Sequence, residues 1–305
     1  MSLPSWFYSD WLLATSGVPQ GSVLGPTLFN IFINDLPLCL RYSLCLLFAD
    51  DLKISRIVQS LEDSLLLQSD LNNVFKWAMD NHLSFNVSKS AILHFGSNNS
   101  NFSYFLQGIE LSAKDSIRDL GIIVDKKLKF HEQCASAAKK AIRTANYIYK
   151  SFSFLSPYLF QKIYKTFIRP HLDYCIQAWR PHYKKSVDLL EKAQRRITKW
   201  CPGLANLPYQ SRLEILNLLS LTSRFDRGDL IETFKILNNH YNIPGQLYFT
   251  LSNNTRTRGH SLKLALPKFR TDFRKFFFSH RVVHLWNSLP EYLVSSGSIH
   301  QWKTR

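Results

Sequence analysis

Apolar residues along this chain alternate between short runs and helical stripes, which predicts a fold of mixed strands and helices. One apolar run spans residues 44–48 and stops just before two adjacent aspartates, Asp50 and Asp51. A second short run of alternating polarity continues to Ile54. Because acids are favoured where a strand enters a turn, the pattern predicts a hairpin with both carboxylates at its turn.

Longer stripes predict the helices. They are expected at residues 28–36, 61–82 and 184–200, in two segments between 206 and 240, and from residue 131 onward, where Ser156 would cap a further helix. A strand is expected at 91–95 and a second hairpin at 120–130. The apolar side of the helix at 61–82 is predicted to consist of Leu65, Leu66, Leu71, Val74, Phe75 and Ala78.

Residues 16–26 hold three glycines and two prolines, and Pro26 suits the first turn of the helix that follows. Glycine allows a backbone to approach a ligand closely or to adopt positive φ. Two interpretations stay open. The segment is an ordinary loop and cap, or it lies against a nucleotide with Gln20 as the polar contact.

Composition and charge narrow the class of protein. The chain has 305 residues, 45% of them hydrophobic, which is enough to bury a substantial core. Neither a signal peptide nor an apolar stretch of membrane-spanning length is seen, so we expect an intracellular protein of nucleus and cytoplasm with no membrane partner. The net charge is +16, but residues 1–90 carry five Lys/Arg and eight Asp/Glu. The later residues are therefore strongly basic, which favours a nucleic-acid partner over a generic basic surface.

Two adjacent carboxylates repel each other unless a cation lies between them. Oxygen-ligating ions such as Mg²⁺ meet that need, and phosphoryl transfer by two metal ions is the chemistry that most often uses it. The alternative for Asp50 and Asp51 is an ordinary acidic turn, since short motifs are weak evidence alone.

Several motifs occur together in a fixed order, which is far more specific than any one of them. Their order and spacing resemble those of reverse transcriptases of non-LTR (LINE-type) retrotransposons of the jockey or CR1 kind. The segments that carry this resemblance are 17–22, 48–51, 83–90 and 120–122, with similarity to the tail of such proteins at 168–174 and 286–290.

The resemblance implies a role for each matching residue near the reaction. Asp50 matches the metal-binding aspartate of the Y/F-A-D-D turn, with Asp51 beside it, so both are expected to be catalytic and to bind Mg²⁺. Lys89 matches a lysine near the triphosphate that donates a proton to pyrophosphate. Without the family, a solvated lysine before a strand is the preferred interpretation of Lys89.

The resemblance also implies substrate contacts. The loop residues Gln20, Gly21 and Ser22 match the segment that contacts the incoming deoxynucleoside triphosphate and the template. Gly121 and its hairpin resemble the element that grips the primer terminus. An RNA template and a DNA primer are therefore the expected partners.

The implied fold class is α+β, a partial polymerase palm of antiparallel sheet and helices followed by a helical thumb and a basic helical tail. The predicted domains are residues 1–130, 131–205 and 206–305. Such polymerases carry another catalytic aspartate on an earlier strand, and only sixteen residues precede Gly17. We therefore expect a carboxy-terminal portion with an incomplete two-metal site, which does not extend a primer by itself.

The helix at 184–200 and the tail each leave two interpretations open. The helix carries four clustered basic residues, Lys192, Arg195, Arg196 and Lys199. They either follow the phosphates of a duplex or form a solvated face. In residues 250–305, ten Lys/Arg accompany many aromatic residues, which either form a core or stack on single-stranded nucleic acid.

The predicted function is RNA-directed DNA polymerase. The alternatives are a catalytically inactive nucleic-acid-binding remnant of such an element and a degraded element without function.

Overall fold

The computed structural model describes Leu13 and residues 17–96, 98–152, 155–252 and 259–304. The chain divides into two units, Met1–Asp115 and Ser116–Arg305. The elements of the first unit are α1 (Gly25–Ile33), β1 (Leu44–Phe48), β2 (Asp51–Ser55), α2 (Leu61–Asp80), β3 (Ala91–Ile92), β4 (Phe105–Leu106), β5 (Ile109–Glu110) and β6 (Ser112–Ala113).

The second unit begins with the hairpin β7 (Ser116–Asp119) and β8 (Ile122–Asp125) and is otherwise helical. A short π-helical stretch at Tyr164–Ile168 links two of its helices. The helices are α3 (His131–Ser151), α4 (Pro157–Ile163), α5 (Pro170–Asp173), α6 (Ile176–Trp179), α7 (Lys184–Thr198), α8 (Tyr209–Ile215), α9 (Leu221–Leu237), α10 (Asp272–Lys275), α11 (Phe278–Arg281), α12 (Val283–Asn287), α13 (Glu291–Val294) and α14 (Ile299–Thr304).

The first unit is built from two-stranded pairs and one long helix. β1 pairs antiparallel with β2 and β4 with β5, whereas β3 pairs parallel with β6. The helix α2 begins with a capping box, because the Ser60 hydroxyl accepts from the Asp63 amide while the Asp63 carboxylate accepts from the Ser60 amide. A small apolar cluster forms beside it around Tyr104, Leu106 and Leu111.

The main core of the second unit lies between α3 and α7. The buried positions of α3 are small residues, including Ala137, Ala141 and Ala145, so the α7 backbone can approach closely. Leu190 and Ile197 of α7 are fully buried in this contact. Ser156 caps α4 as predicted, since its hydroxyl accepts from the Leu159 amide at 3.3 Å.

A second apolar cluster extends from Leu230 to Trp302. One buried carboxylate, Asp229, lies where α9 meets its neighbours and is only 1% exposed. Arg281 donates to both oxygens of this carboxylate, at 2.8 and 2.9 Å, and Arg180 donates to one of them at 2.8 Å. Both guanidiniums therefore neutralise and orient the buried charge, which keeps α6, α9 and α11 together.

Mixed helices and small sheets confirm an α+β composition. Three local expectations were wrong. β3 ends at Ile92 rather than at residue 95, and the second hairpin begins at Ser116 and turns at Leu120. Leu65 is 53% exposed, because it lies on the opposite side of α2 from the buried Val74 and Ala78. Within the described residues, no helix is long and apolar enough to cross a membrane.

Candidate metal and nucleic-acid sites

The two adjacent aspartates lie at the turn of the β1–β2 hairpin. Phe48 pairs with Asp51, so Ala49 and Asp50 form a two-residue connection. Ala49 has φ +50°, a left-handed conformation that L-residues with a Cβ rarely adopt. The turn thus places one carboxylate at its tip and the next at the start of β2.

Both carboxylates are open to solvent. Asp50 and Asp51 are exposed, and neither carboxylate forms a hydrogen bond or ion pair with any residue that the structure describes. No group of three metal-ligating side chains occurs among the described residues. Mg²⁺ is commonly held by one or two carboxylates together with substrate phosphates and water, so this oxygen pair fits one side of such a site.

The hairpin is anchored to α2 by Asp70, which is fully buried. Its two carboxylate oxygens accept from the backbone amides of Arg41 and Tyr42, each at 2.9 Å. At the far end of β2, Arg56 donates to Asp63 at 2.7 Å and to the carbonyl of Tyr42. These contacts position the strands that carry the aspartate turn.

Sequence reasoning missed Asp70 and Asp63. Asp70 lies four and eight residues before Val74 and Ala78, so a signal was present as a charged residue within the buried stripe of α2. Asp63 was signalled by the Ser-x-x-Asp pattern of a capping box. Its pKa is lowered to about 2 by hydrogen bonds from the Gln59 amide and the Arg56 guanidinium.

The glycine-rich loop leads directly into α1. Gly21 has φ +84°, and Gln20 is exposed. The Ser22 hydroxyl accepts from the Gly25 amide at 3.0 Å, and a Cβ on Gly25 would lie 3.1 Å from the carbonyl oxygen of Pro19. Ser22 therefore accepts from the first amide of α1 and holds the loop against the helix, and no hydrogen bond or ion pair among described residues joins this loop to the aspartate turn.

Lys89 lies in a turn immediately before β3. Its amide donates to the backbone carbonyl and the side chain of Asn86, at 3.1 and 3.2 Å. The side chain is exposed, and its ammonium has no hydrogen-bond or ion-pair partner in the described part of the chain. Lys89 therefore presents its ammonium to solvent. Its predicted role as a proton donor to pyrophosphate stays a prediction.

Gly121 lies in the second unit, at the turn of the β7–β8 hairpin. Both turn residues have positive φ, +44° at Leu120 and +86° at Gly121. The Tyr174 hydroxyl donates to the Leu120 carbonyl at 3.2 Å, and a side chain on Gly121 would meet the Tyr174 ring. Beside this turn is a cavity of about 200 Å³, also lined by Lys140 and His171.

The predicted nucleic-acid-binding residues share one exposed side of α7. Their spacing of three and four residues aligns them along about 10 Å of the helix axis. The Arg195 guanidinium lies 4.8 Å from the centre of the Tyr209 ring, and Arg196 lies 5.8 Å from that of Trp200. The α7 stripe, as we name it, consists of the exposed Lys192, Arg195, Arg196 and Lys199.

The end of α7 is held by Arg212, which is 2% exposed and which sequence reasoning missed. Its guanidinium donates to the Arg195 carbonyl and the Thr198 hydroxyl, both at 3.2 Å. Burial lowers the pKa of this guanidinium. A cation at a helix C-terminus satisfies carbonyls without a helical partner, so Arg212 fixes the end of the stripe.

Residues 5–124 match the sequence profile of the reverse transcriptase (RNA-dependent DNA polymerase) family. The chain is related to the reverse transcriptases of non-LTR retrotransposons. Asp50, Asp51, Lys89 and Gly121 lie within the matched reverse transcriptase region, as does the glycine-rich loop. The α7 stripe lies beyond it.

Curated relatives extend the similarity. The chain is 31% identical over 199 residues to the "RNA-directed DNA polymerase from mobile element jockey" of Drosophila funebris, which covers 60% of the chain and 22% of that protein. It is 26% identical over 198 residues, with the same coverage of 60% and 22%, to the "Probable RNA-directed DNA polymerase from transposon X-element" of Drosophila melanogaster.

The chain thus spans about a fifth of the length of these reverse transcriptase relatives. An uncharacterized protein of Caenorhabditis elegans is 27% identical over 134 residues, which are 43% of the chain and 67% of that protein. No solved structure matches the chain significantly. The comparisons therefore show similarity to reverse transcriptases over part of the chain, while the roles of individual site residues stay predictions.

Proposed function

We propose that the chain is part of an RNA-directed DNA polymerase of a non-LTR retrotransposon, in which Asp50 and Asp51 bind Mg²⁺. The observation that carries this proposal is their exposed position on one anchored turn, without partners among the described residues. The turn lies inside the region that matches the reverse transcriptase family. A carboxylate pair held open toward solvent can accept a cation without breaking any internal bond.

Each site residue has a distinct task in this proposal. When bound, Mg²⁺ would supply positive charge that offsets the charge of the phosphate oxygens and eases deprotonation of the primer hydroxyl. Asp50 and Asp51 supply oxygen ligands for it. Gln20 and Gly21 contact the incoming nucleotide and the template, with Ser22 holding the loop shape, and the Lys89 ammonium neutralises the leaving pyrophosphate and donates a proton to it.

The second unit supplies the nucleic-acid contacts. The α7 stripe follows the phosphates of the duplex formed by RNA template and DNA primer, and the Gly121 turn contacts the primer terminus. In this proposal residues 1–130 act as a partial palm, 131–205 as a thumb and 206–305 as a basic tail. Exposed lysines and arginines bind phosphates largely by releasing counterions, so this interaction is independent of sequence.

A nucleic-acid-binding protein without catalysis is the second candidate. One observation favours it. Within the described residues, no third metal-ligating side chain accompanies Asp50 and Asp51, whereas all four basic residues of the α7 stripe are present and exposed. Two ions held for phosphoryl transfer require more carboxylate oxygens than one turn offers. The two candidates differ in whether the aspartate turn binds metal in the presence of substrate.

Mn²⁺ binding tests the polymerase proposal. Mn²⁺ replaces Mg²⁺ and reports its own binding through its paramagnetic resonance signal, which can be titrated with template–primer and a nucleotide present. Asp50→Asn keeps the shape of the turn but removes a charge, so affinity should fall about tenfold or more. Asp80→Asn, at an exposed residue of α2, is the matched control and should bind Mn²⁺ as the unaltered chain does.

Primer extension in the same preparations separates the candidates. Extension that requires Mg²⁺ and is lost in Asp50→Asn supports the polymerase. If Mn²⁺ affinity is equal in Asp50→Asn and in the control, and duplex binding is unchanged, the aspartate turn is not a metal site. The nucleic-acid-binding candidate then stands.

Duplex binding at several salt concentrations tests the α7 stripe. Replacing Lys192 and Lys199 together by alanine should weaken binding and reduce the slope of log affinity against log salt by about one for each lysine. Lys76→Ala changes one exposed lysine of α2 and should leave the slope almost unchanged. An equal slope in the double variant and the unaltered chain would contradict this contact.

A further inference from the structure

A second surface of basic and aromatic residues lies in the C-terminal part of the chain. Over residues 268–277 the chain holds four Lys/Arg, one acid and four phenylalanines. Three of these phenylalanines are exposed, Phe269 by 48%, Phe273 by 44% and Phe277 by 37%. The neighbouring Phe278 is only 6% exposed and belongs to the core. The structure therefore divides the aromatic residues of the tail between core and surface.

The four basic side chains of this surface are also exposed, and none of them forms an ion pair with a described residue. The Arg274 guanidinium lies 6.0 Å from the centre of the Phe277 ring, and the rings of Phe273 and Phe277 lie 6.2 Å apart. Those two rings are tilted by 53° and do not stack on each other, which leaves a face of each ring available to a base. We name as the tail patch Lys268, Phe269, Arg270, Phe273, Arg274, Lys275 and Phe277.

The tail patch is attached near the start of α7. The ring of Phe276, a half-buried residue beside the patch, stacks on His182 with centroids 4.1 Å apart and an interplanar angle of 5°. His182 lies two residues before α7 begins, and Tyr183 packs against it with ring centroids 4.2 Å apart. This contact fixes the patch within the second unit, next to the start of the helix that carries the α7 stripe.

We propose that the tail patch binds single-stranded nucleic acid, with bases stacked on Phe269, Phe273 and Phe277 and phosphates on the basic residues between them. Aromatic faces accept any base, and interleaved cations follow the backbone, which is how sequence-tolerant single-strand sites work. The site goes beyond the proposed polymerase function, since it requires neither Asp50 nor a metal ion.

Two features favour a polynucleotide over other partners. The unpaired positive charge of the patch suits a polyanion, and it lies in a strongly basic part of the chain. An anionic membrane would favour a longer amphipathic helix, whereas the helix within the patch, α10, has four residues. Exposed aromatic rings, rather than aliphatic side chains, are what base stacking requires.

Fluorescence anisotropy with labelled oligonucleotides of about 12 nucleotides tests the site, in a poly-dT form, a poly-rU form and an abasic form with the same phosphates. Replacing Phe269, Phe273 and Phe277 by alanine should weaken binding of both base-carrying forms about tenfold or more. Binding of the abasic form should stay unchanged. Phe167→Ala, at an exposed ring elsewhere in the second unit, is the matched control and should have no effect.

A triple Phe→Leu variant keeps apolar area but removes the rings, and it should lose affinity as the alanine variant does. Retained affinity in the leucine variant would overturn base stacking. Replacing Lys268 and Arg270 by alanine should lower the salt dependence, whereas the phenylalanine variants should keep it. Unchanged thermal unfolding of each variant shows that loss of binding is not loss of fold.

Vesicles of phosphatidylserine and phosphatidylcholine test the membrane as the alternative partner. If the chain binds such vesicles through the three phenylalanines while oligonucleotide binding is indifferent to them, the proposal is overturned. Because the patch variants leave Asp50 and the α7 stripe intact, Mn²⁺ binding and duplex binding should be unaffected. A failure of this proposal is therefore distinguishable from a failure of the polymerase proposal.

Discussion

The aspartate turn and the α7 stripe stand on differently packed supports. The apolar cluster of the first unit contains three buried residues among those described, whereas the clusters of the second contain 22 and 11. On the β1 strand that leads to the turn, Leu44, Leu46 and Phe48 are 60, 50 and 65% exposed. On α7, by contrast, each of the four basic residues of the α7 stripe has a buried apolar residue within two positions.

The difference shows how each surface is held in place. The α7 stripe is rigid because tight apolar packing fixes its helix. The aspartate turn is held mainly by polar contacts, above all those of Asp70 and Arg56. Stability in the second unit should therefore depend on side-chain volume, and in the first on hydrogen bonds.

Leu190→Ala should have the largest effect. This side chain is fully buried between α7 and α3, and its removal should lower the free energy of unfolding of the second unit by about 2–5 kcal/mol. Leu46→Ala removes the same atoms from the exposed face of β1 and should change stability by about 0.5 kcal/mol or less. Hydrogen exchange measured by mass spectrometry reports each unit separately in the full chain.

Equal losses in the two leucine variants would break the comparison, because they would show that the hairpin face is packed after all.

Asp70→Asn should have the next largest effect. An amide has one oxygen and cannot accept from both the Arg41 and Tyr42 amides as the carboxylate does, so a buried donor should be left unpaired at about 1–3 kcal/mol. Exchange of those two amides should become faster. Asp80→Asn on the exposed side of α2 serves as the control, and similar exchange in both variants would contradict the anchoring role.

The pH dependence of the first unit gives a smaller effect. The folded pKa of Asp63, about 2, lies below the ordinary value of an aspartate, so its ionised form stabilises the fold. That contribution is complete above the unfolded pKa and is lost as pH falls through about 2. Asp63→Asn should therefore lower the stability of the first unit at neutral pH. In acid its stability should approach that of the unaltered chain. Thermal unfolding measured from pH 6 to about 2 tests this.

Ala49→Gly should have the smallest effect and the opposite sign. Glycine adopts the positive φ of this turn without a Cβ penalty, which is about 1 kcal/mol, although its flexibility in the unfolded chain offsets part of the gain. Slower exchange of the β1–β2 amides would show the gain. Slower exchange should not be seen in Ala91→Gly, where the residue is in a strand.

Local signals made much of the fold predictable. Periodicity gave α7 nearly its observed bounds, Lys184–Thr198 against an expected end at residue 200, and Ser156 marked the start of α4. Pairing between distant segments was not predictable. β3 pairs with Ser112–Ala113 over two residues only, so the strand stops at Ile92. No local pattern near residue 91 specifies that partner.

The candidate site was predictable as motifs but not as an arrangement. Asp50, Lys89 and Gly121 lie in turns, and Asp51 directly follows the first of these turns, as short polar and glycine signals indicate. The partners of Asp70 and Arg212 could not be predicted, because the backbone groups that they contact lie 28 to 29 and 5 to 17 residues away. Such contacts depend on tertiary structure alone.

The buried carboxylate of Asp229 has a consequence for cooperativity. Because Arg180 and Arg281 converge on one side chain between the two apolar clusters, neither cluster can open without exposing or orphaning a buried charge. The second unit should then melt in a single calorimetric transition, and any lineage that replaces one of these three residues should replace its partners as well.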